Sequence, residues 1–239
     1  SANAYALTGT EIAQKVYDSN READSFQKTK MTLIDKNKSK RVRTFITLTK
    51  DNNKYDSQSL IAFDSPKSIS RTGILIHNHK GSDADQWLYL PELRRPRRVT
   101  TGDRGGYFLG TDFTYEDMQR HSVEAWTYQL DDEQVVSGQP CYVLVSTPKP
   151  STDTQYSKIV TCVEKNSFIP LKTVFWDKKG QQSKVYQVIS YETIEQIPTE
   201  TEVVMEDLIS GHKTRLKVLT IEYNTGLKDS LFTSRTLER

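Results

Sequence analysis

Few residues in this chain have types and spacings that could do chemistry. His77 and His79 are separated by one residue. A strand would put both imidazoles on one side, near Asp83 and Asp85, as half of a metal site. Two exposed histidines at a strand end explain the same spacing. Asp103, Asp112, Glu116 and Asp117 crowd a Gly-rich stretch. A carboxylate pair acting as acid and base needs a deep polar pocket. The neighbours here are Tyr107, Phe108, Phe113 and Tyr115, which argue for an apolar one. Helix capping and pairing with Arg104 or the upstream arginines account for the acids. No P-loop, G-x-G-x-x-G or G-x-S-x-G motif occurs. The expectation is a protein that is not an enzyme, with no catalytic residues, no metal and no cofactor.

The densest feature is the stretch Asp85–Met118. Arg94, Arg95, Arg97 and Arg98 stand around Pro96, just past a strand-like run that holds Trp87 and Tyr89. Such a cluster can contact an anionic headgroup or a partner surface. It can equally be a solvated edge that discourages strand-to-strand aggregation. Gly102, Gly105, Gly106 and Gly110 then punctuate a loop carrying Phe108 and Phe113. Aromatics on a flexible loop need something apolar to lie against, either the protein's own interior or a ligand. Leu75, Trp87, Tyr89, Phe108, Phe113 and Met118 are the candidate cavity residues, with ordinary core packing as the alternative for each.

The elements that would position these residues are mostly strands. Thr8–Arg21 reads as a helix, with Ile12, Ala13, Val16 and Tyr17 forming one apolar stripe. Strand-like runs follow at 26–35, 41–50, 55–64, 69–79, 87–90 and 97–100. Their links are too short for crossover helices, so they form an antiparallel meander. Asp112–Arg120 reads as a short central helix capped by Asp112. More strands follow at 125–130, 142–147, 158–163, 171–176, 184–191, 201–209 and 213–223. Several runs are apolar on both faces, such as Ile74-Leu75-Ile76 and Val143-Leu144-Val145. A curved sheet closing over a few helices would leave an apolar groove between them. With no internal repeat or linker, residues 1–239 read as a single domain.

Composition sets outer bounds. The net charge of +2 on 239 residues argues against a nucleic-acid partner, for which a strongly basic domain is expected. Hydrophobic residues make up 35% and charged residues 27%, which suits a twisted sheet with one wet face. No run approaches the ~18 apolar residues of a membrane-spanning helix. The opening SANAYALTG has the small-x-small form left by a removed secretory signal peptide, or is the trimmed start of an expressed piece. Cys141 and Cys162 fall in runs that would pair as a hairpin, so a disulfide between them is possible; two buried thiols are the alternative.

The run Gln86–Val99, Q-W-L-Y-L-P-E-L-R-R-P-R-R-V, resembles the hallmark of the outer-membrane lipoprotein-sorting proteins of LolA-like type. The following G-D-R-G-G-Y-F-L-G-T-D-F-T-Y-E-D is similar to the branch associated with RND-type exporters, as is Ile221–Phe232. The resemblance implies an α+β, mostly β fold: an incomplete barrel of about eleven antiparallel strands, lidded by an N-terminal and a short central helix. It implies a periplasmic carrier whose cavity binds acyl chains of lipoproteins or lipids and takes them toward the outer membrane. Transient contact with a membrane surface and an inner-membrane exporter as partner come with it. A non-catalytic adaptor of the exporter is the alternative. By strand position, Arg43 is the candidate for the arginine that latches the lid in that family.

Overall fold

The computed structural model describes residues 6–19, 24–51 and 56–238. The one α-helix among them, α1 (Gly9–Asp18), starts where the sequence says it should. Thr8 and Glu11 form a reciprocal capping box, each side chain accepting from the other's backbone N–H. Ile12 and Ala13 are buried, and Ser19 ends the helix in an extended conformation. The expected last residues of this helix, and the small-x-small start of the chain, lie outside the described residues.

Thirteen strands follow: β1 (Asp24–Ile34), β2 (Lys40–Lys50), β3 (Ser57–Ser65), β4 (Gly73–His79), β5 (Ser82–Leu90), β6 (Arg95–Arg98), β7 (Trp126–Val136), β8 (Gln139–Pro148), β9 (Tyr156–Glu164), β10 (Pro170–Asp177), β11 (Gln182–Ile194), β12 (Ile197–Asp207) and β13 (Lys213–Tyr223). All belong to one sheet in the order β6-β5-β4-β3-β2-β1-β13-β12-β11-β10-β9-β8-β7. The antiparallel β1–β13 pair, from Ser25↔Tyr223 to Ile34↔Lys213, joins two meanders into one surface. The sheet does not close, so β6 and β7 are its two edges. Among the described residues the strands number thirteen rather than about eleven.

This order has a consequence for the segment 99–125. It joins the two opposite edges of the sheet, so it must cross a whole face. It does, touching strands from both meanders. Phe108 and Met118 pack on the cluster of Met31, Phe45, Phe63 and Ile76, while Asp117 meets Tyr156 of β9 and Lys184 of β11. A flat sheet would separate β4 from β9 by about 40 Å at ~4.8 Å per strand. Neighbouring residues of one short segment reach both, so the sheet is curled around the crossover. The face beneath it is the inner face.

No helix forms at Asp112–Arg120; that expectation is corrected. Residues 115–118 are a hydrogen-bonded turn. Thr114 and Asp117 do cap one another, Thr114 N to Asp117 Oδ2 at 2.7 Å and Asp117 N to Thr114 Oγ1 at 3.3 Å. However, Tyr115 N and Glu116 N donate to the carbonyls of Gly106 and Arg104, at 3.1 and 3.0 Å. Pinning the segment back onto the preceding loop leaves one turn, too short to propagate.

The two-faced apolar strands are explained from both sides. Ile74 and Ile76 of β4 join the cluster under the crossover. Leu75, between them, points the other way and packs with Leu48, Leu60 and Tyr89 under Phe232 and Leu237 of the C-terminal segment. Asp24 fastens that segment: its carboxylate accepts from the N–H groups of Thr225, Gly226 and Leu227 at 2.6, 2.9 and 2.9 Å. Burial alone would raise this carboxyl, but the hydrogen bonds from Thr225 and Leu227 hold it below the usual carboxylate range.

Candidate ligand cavity

Between the inner face and the crossover lies a cavity of about 270 Å³. Met31, Phe45, Phe63 and Ile76 supply its sheet side, and Phe108, Phe113 and Met118 its crossover side. Thr29, Thr47 and Ser59 add hydroxyls to the sheet side. Phe45 and Phe63 lie 5.3 Å apart centroid to centroid, and Phe63 and Phe108 6.0 Å apart. These tilted pairs put an aromatic wall along the space. Mostly apolar walls with a few hydroxyls suit an aliphatic chain.

The crossover that roofs this cavity is held by polar contacts at several points. Leu109 and Gly110 both have positive φ, 48° and 71°, which turns the backbone so that the Leu109 carbonyl meets Arg43 Nη1 at 2.8 Å. Arg43 also lies over the Phe63 ring at 5.9 Å, and burial, then neighbouring Arg41, pulls its guanidinium pKa down. Asp112 accepts from Thr214 Oγ1 at 2.7 Å and bonds His212 Nδ1 at 2.7 Å. Burial raises the Asp112 carboxyl despite those partners. Tyr107 donates to Asp207 at 2.6 Å, and burial, then that carboxylate, pushes its pKa up. Asp117 is ion-paired with Lys184, both nearly sealed from solvent, and accepts from Tyr156. Glu116 accepts from Thr154 Oγ1 and from Gln155 N at 2.8 Å. Three of the four acids near the glycines, Asp112, Glu116 and Asp117, are therefore fasteners. Asp103, on the exposed side, pairs with Arg97 at 3.2 Å.

Of the six candidate cavity residues, the structure brings Phe108, Phe113 and Met118 together at the cavity. Leu75, Trp87 and Tyr89 are not there, which corrects their placement. They share the outer-face parity of β4 and β5 and pack beneath the C-terminal segment. Arg94, Arg95, Arg97 and Arg98 are all exposed on the β6 edge and the turn before it. Arg98 pairs with Asp85 and Arg97 with Asp103. His79 bonds Asp85 at 2.9 Å, and His77 lies between Gln58 and the Phe232 carbonyl, each at 3.0 Å. Among the described residues no cluster of three metal ligands occurs.

Cys141 and Cys162 are buried free thiols on the paired strands β8 and β9. They are diagonal rather than opposite, because Cys141 pairs with Glu164 and Cys162 with Val143. The disulfide is thus not formed in this structure. Burial, then the neighbouring Cys162, pushes the Cys141 thiol up to about 12, so it is an inert thiol at neutral pH.

Several site residues carry no local signal in the sequence. Lys184, Tyr156, His212 and Asp207 sit in unremarkable strand contexts, and their partners are 67, 39, 100 and 100 positions away. Only the topology, which throws residues 99–125 across the inner face, brings them together.

An incomplete antiparallel barrel with an apolar cavity under a fastened crossover is the fold of the LolA-like, outer-membrane lipoprotein-sorting group of proteins. A family model described as "uncharacterized protein" matches residues 55–239, and the chain belongs to that family, which falls in this group. A solved structure entitled outer membrane lipoprotein-sorting protein domain, from Vibrio parahaemolyticus, is 27% identical with TM-score 0.90, covering 97% of this chain and 98% of its own. A DUF1329-family protein from Desulfovibrio piger is 29% identical with TM-score 0.91, covering 96% and 97%. A LolA-superfamily protein from Nitrosomonas europaea, 21% identical over 95% and 98% with TM-score 0.74, shares the fold. No curated protein matches the sequence. Among the described residues, no helix is long and apolar enough to cross a membrane.

Proposed function

We propose that the protein is a non-catalytic periplasmic carrier that holds an acyl chain of a lipoprotein or lipid in the cavity under the crossover. The observation that carries this reading is the cavity itself. It is about 270 Å³, walled by Phe45, Phe63, Ile76, Phe108, Phe113 and Met118. Each buried methylene contributes roughly 0.8 kcal/mol, so a few suffice for firm but reversible holding. The fastened crossover supplies the way in and out, since its polar contacts can be broken without unmaking any strand pair. Residues 1–239 act in this reading as one carrier domain.

Arg94 and Arg95 suit a docking role. Neither is bonded to an acid among the described residues; Arg95 begins the edge strand β6 and Arg94 stands in the turn before it, both exposed. They would meet anionic headgroups when the carrier loads or unloads. An exporter's periplasmic surface is the second reading for the same pair.

Native mass spectrometry of protein purified from its own cell envelope tests the assignment. The expected result is a fraction carrying the added mass of an acylated molecule, lost on delipidation. A homogeneous apo mass from freshly isolated, undelipidated protein would count against the carrier.

A further inference from the structure

Hairpin turns collect at one end of the sheet. Ile34, the last residue of β1, pairs with Lys213, the first of β13. Asp207, the last of β12, pairs with Lys184 near the start of β11. The β1–β2, β12–β13 and β10–β11 turns therefore stand side by side on one rim, each two strand spacings from the next, ~10 Å. A Cβ on Gly211 would lie 3.7 Å from the Cβ of Lys36, so the first two of these turns lie against each other. Arg94 and Arg95 stand at the same end, through the register that runs from β1 to β6.

The three turns are built alike. Each opens on an aspartate whose carboxylate accepts from the turn's own amides. Asp35 takes Asn37 N and Ser39 N, both at 2.9 Å. Asp207 takes Ile209 N and Ser210 N at 2.9 and 2.8 Å. Asp177 takes Lys179 N and Gln181 N at 2.8 and 3.0 Å. The acids are thus consumed inside the turns. Lys36 and Lys38 on one side, and Lys178 and Lys179 on the other, are exposed and have no acidic partner among the described residues. Lys213 is balanced by Glu206 at 3.0 Å. Between the lysine pairs, the β12–β13 turn presents Leu208 and Ile209, 40% and 72% exposed. Ile209 is the most exposed large apolar residue among those described. Neither side chain joins any of the apolar clusters, so the fold gains nothing from having them there.

We propose that this rim docks on an anionic lipid bilayer, with Leu208 and Ile209 inserted among the headgroups and Lys36, Lys38, Lys178 and Lys179 on the lipid phosphates. An apolar apex flanked on both sides by lysines matches the layering of a bilayer surface, where acyl chains lie just beneath negative charge. The lysine stems can lie along the interface while their ammonium groups stay in water. The proposal goes beyond the carrier reading and needs neither the cavity nor Arg94 and Arg95. It also places the docked rim beside the cavity roof, because Asp207 and His212, at the two ends of the apical turn, hold Tyr107 and Asp112 of the crossover.

The test is flotation of the full chain with vesicles of phosphatidylcholine, alone or mixed with phosphatidylglycerol. Wild type should bind the mixed vesicles and not the neutral ones, and lose them as salt is raised to about 0.5 M. Leu208→Ser with Ile209→Ser should weaken binding about tenfold or more. Gln at all four lysines should weaken it at least about a hundredfold at low salt. Both variants should melt with wild type, since they change exposed turn positions. An environment-sensitive dye on Ile209→Cys should shift to the blue with mixed vesicles. The same dye on Glu192→Cys, at the other end of the sheet, should not; Cys141 and Cys162 are buried and stay unlabelled. Binding unmoved by the Ser pair, or a dye at position 209 that stays in water, would overturn the proposal. Lipopeptide affinity of delipidated protein is measured alongside. A wild type that holds lipopeptide but passes over anionic vesicles leaves the carrier and removes the docking rim. One that docks through Leu208 and Ile209 but takes no lipopeptide does the reverse.

Discussion

The guanidinium of Arg43, on β2, donates a 2.8 Å hydrogen bond to the backbone carbonyl of Leu109, 66 positions away in the crossover. It ties the roof of the cavity to its aromatic wall, because the same guanidinium lies over Phe63. A bond from a charged donor is worth roughly 1.5–3 kcal/mol. Arg43→Gln should therefore raise amide hydrogen exchange across residues 107–114 by about tenfold or more, with β1–β3 unaffected. Unchanged exchange in the crossover would show that Arg43 does not hold it.

The Lys184–Asp117 pair fastens the crossover to the opposite meander. Both side chains are 4% exposed. Removing one partner leaves a buried charge unpaired, so Lys184→Met should cost about 3–5 kcal/mol in urea unfolding. A loss below about 1 kcal/mol would mean that Tyr156 and the Thr114 N–H satisfy Asp117 unaided.

Stability should depend on pH through Glu200. Its folded pKa of about 7 lies above the ordinary 4.5, burial being the cause and the Tyr186 hydrogen bond a smaller opposing effect. The neutral form is the one the fold favours. Its contribution is complete below pH 4.5 and is lost as pH rises through about 7. Wild type should lose up to about 3 kcal/mol across that window, and Glu200→Gln should not. Parallel stability profiles for the two proteins would contradict the assignment.

Much of this arrangement was legible in the chain. The thirteen strand-like runs all became strands, whereas the resemblance implied about eleven. The apolar stripe of Ile12, Ala13, Val16 and Tyr17 marked α1. The failures have physical causes. Asp112–Arg120 carries good helix-start chemistry, yet tertiary hydrogen bonds to Gly106 and Arg104 claimed its backbone. Leu75, Trp87 and Tyr89 were assigned to the cavity because an apolar strand does not say which face is which. Their cover, the C-terminal segment around Phe232 and Leu237, has no regular pattern to announce it. Glu200 was invisible because its burial beside Tyr186 exists only in the folded sheet.

The β6 edge offers a test of membrane contact. Each basic residue near an anionic surface is worth about 1 kcal/mol at low salt. Changing Arg94 and Arg95 together to Gln should weaken binding to phosphatidylglycerol vesicles by about 2 kcal/mol and leave neutral vesicles unaffected. Changing Arg97 and Arg98 should do less, since Asp103 and Asp85 already balance them. Equal effects from the two pairs, or none, would assign the cluster to edge protection instead.

The central claim, that the space under the crossover holds an acyl chain, is tested most directly by filling it. Thr47 lines the cavity from β2, and Thr47→Trp would occupy its volume without touching the crossover's polar fasteners. Affinity for a palmitoylated lipopeptide should be measured on delipidated wild type and on this variant, with thermal unfolding to confirm that both are folded. The account predicts saturable binding by wild type and a loss of at least about tenfold in the variant. A folded Thr47→Trp that binds as tightly as wild type would contradict it.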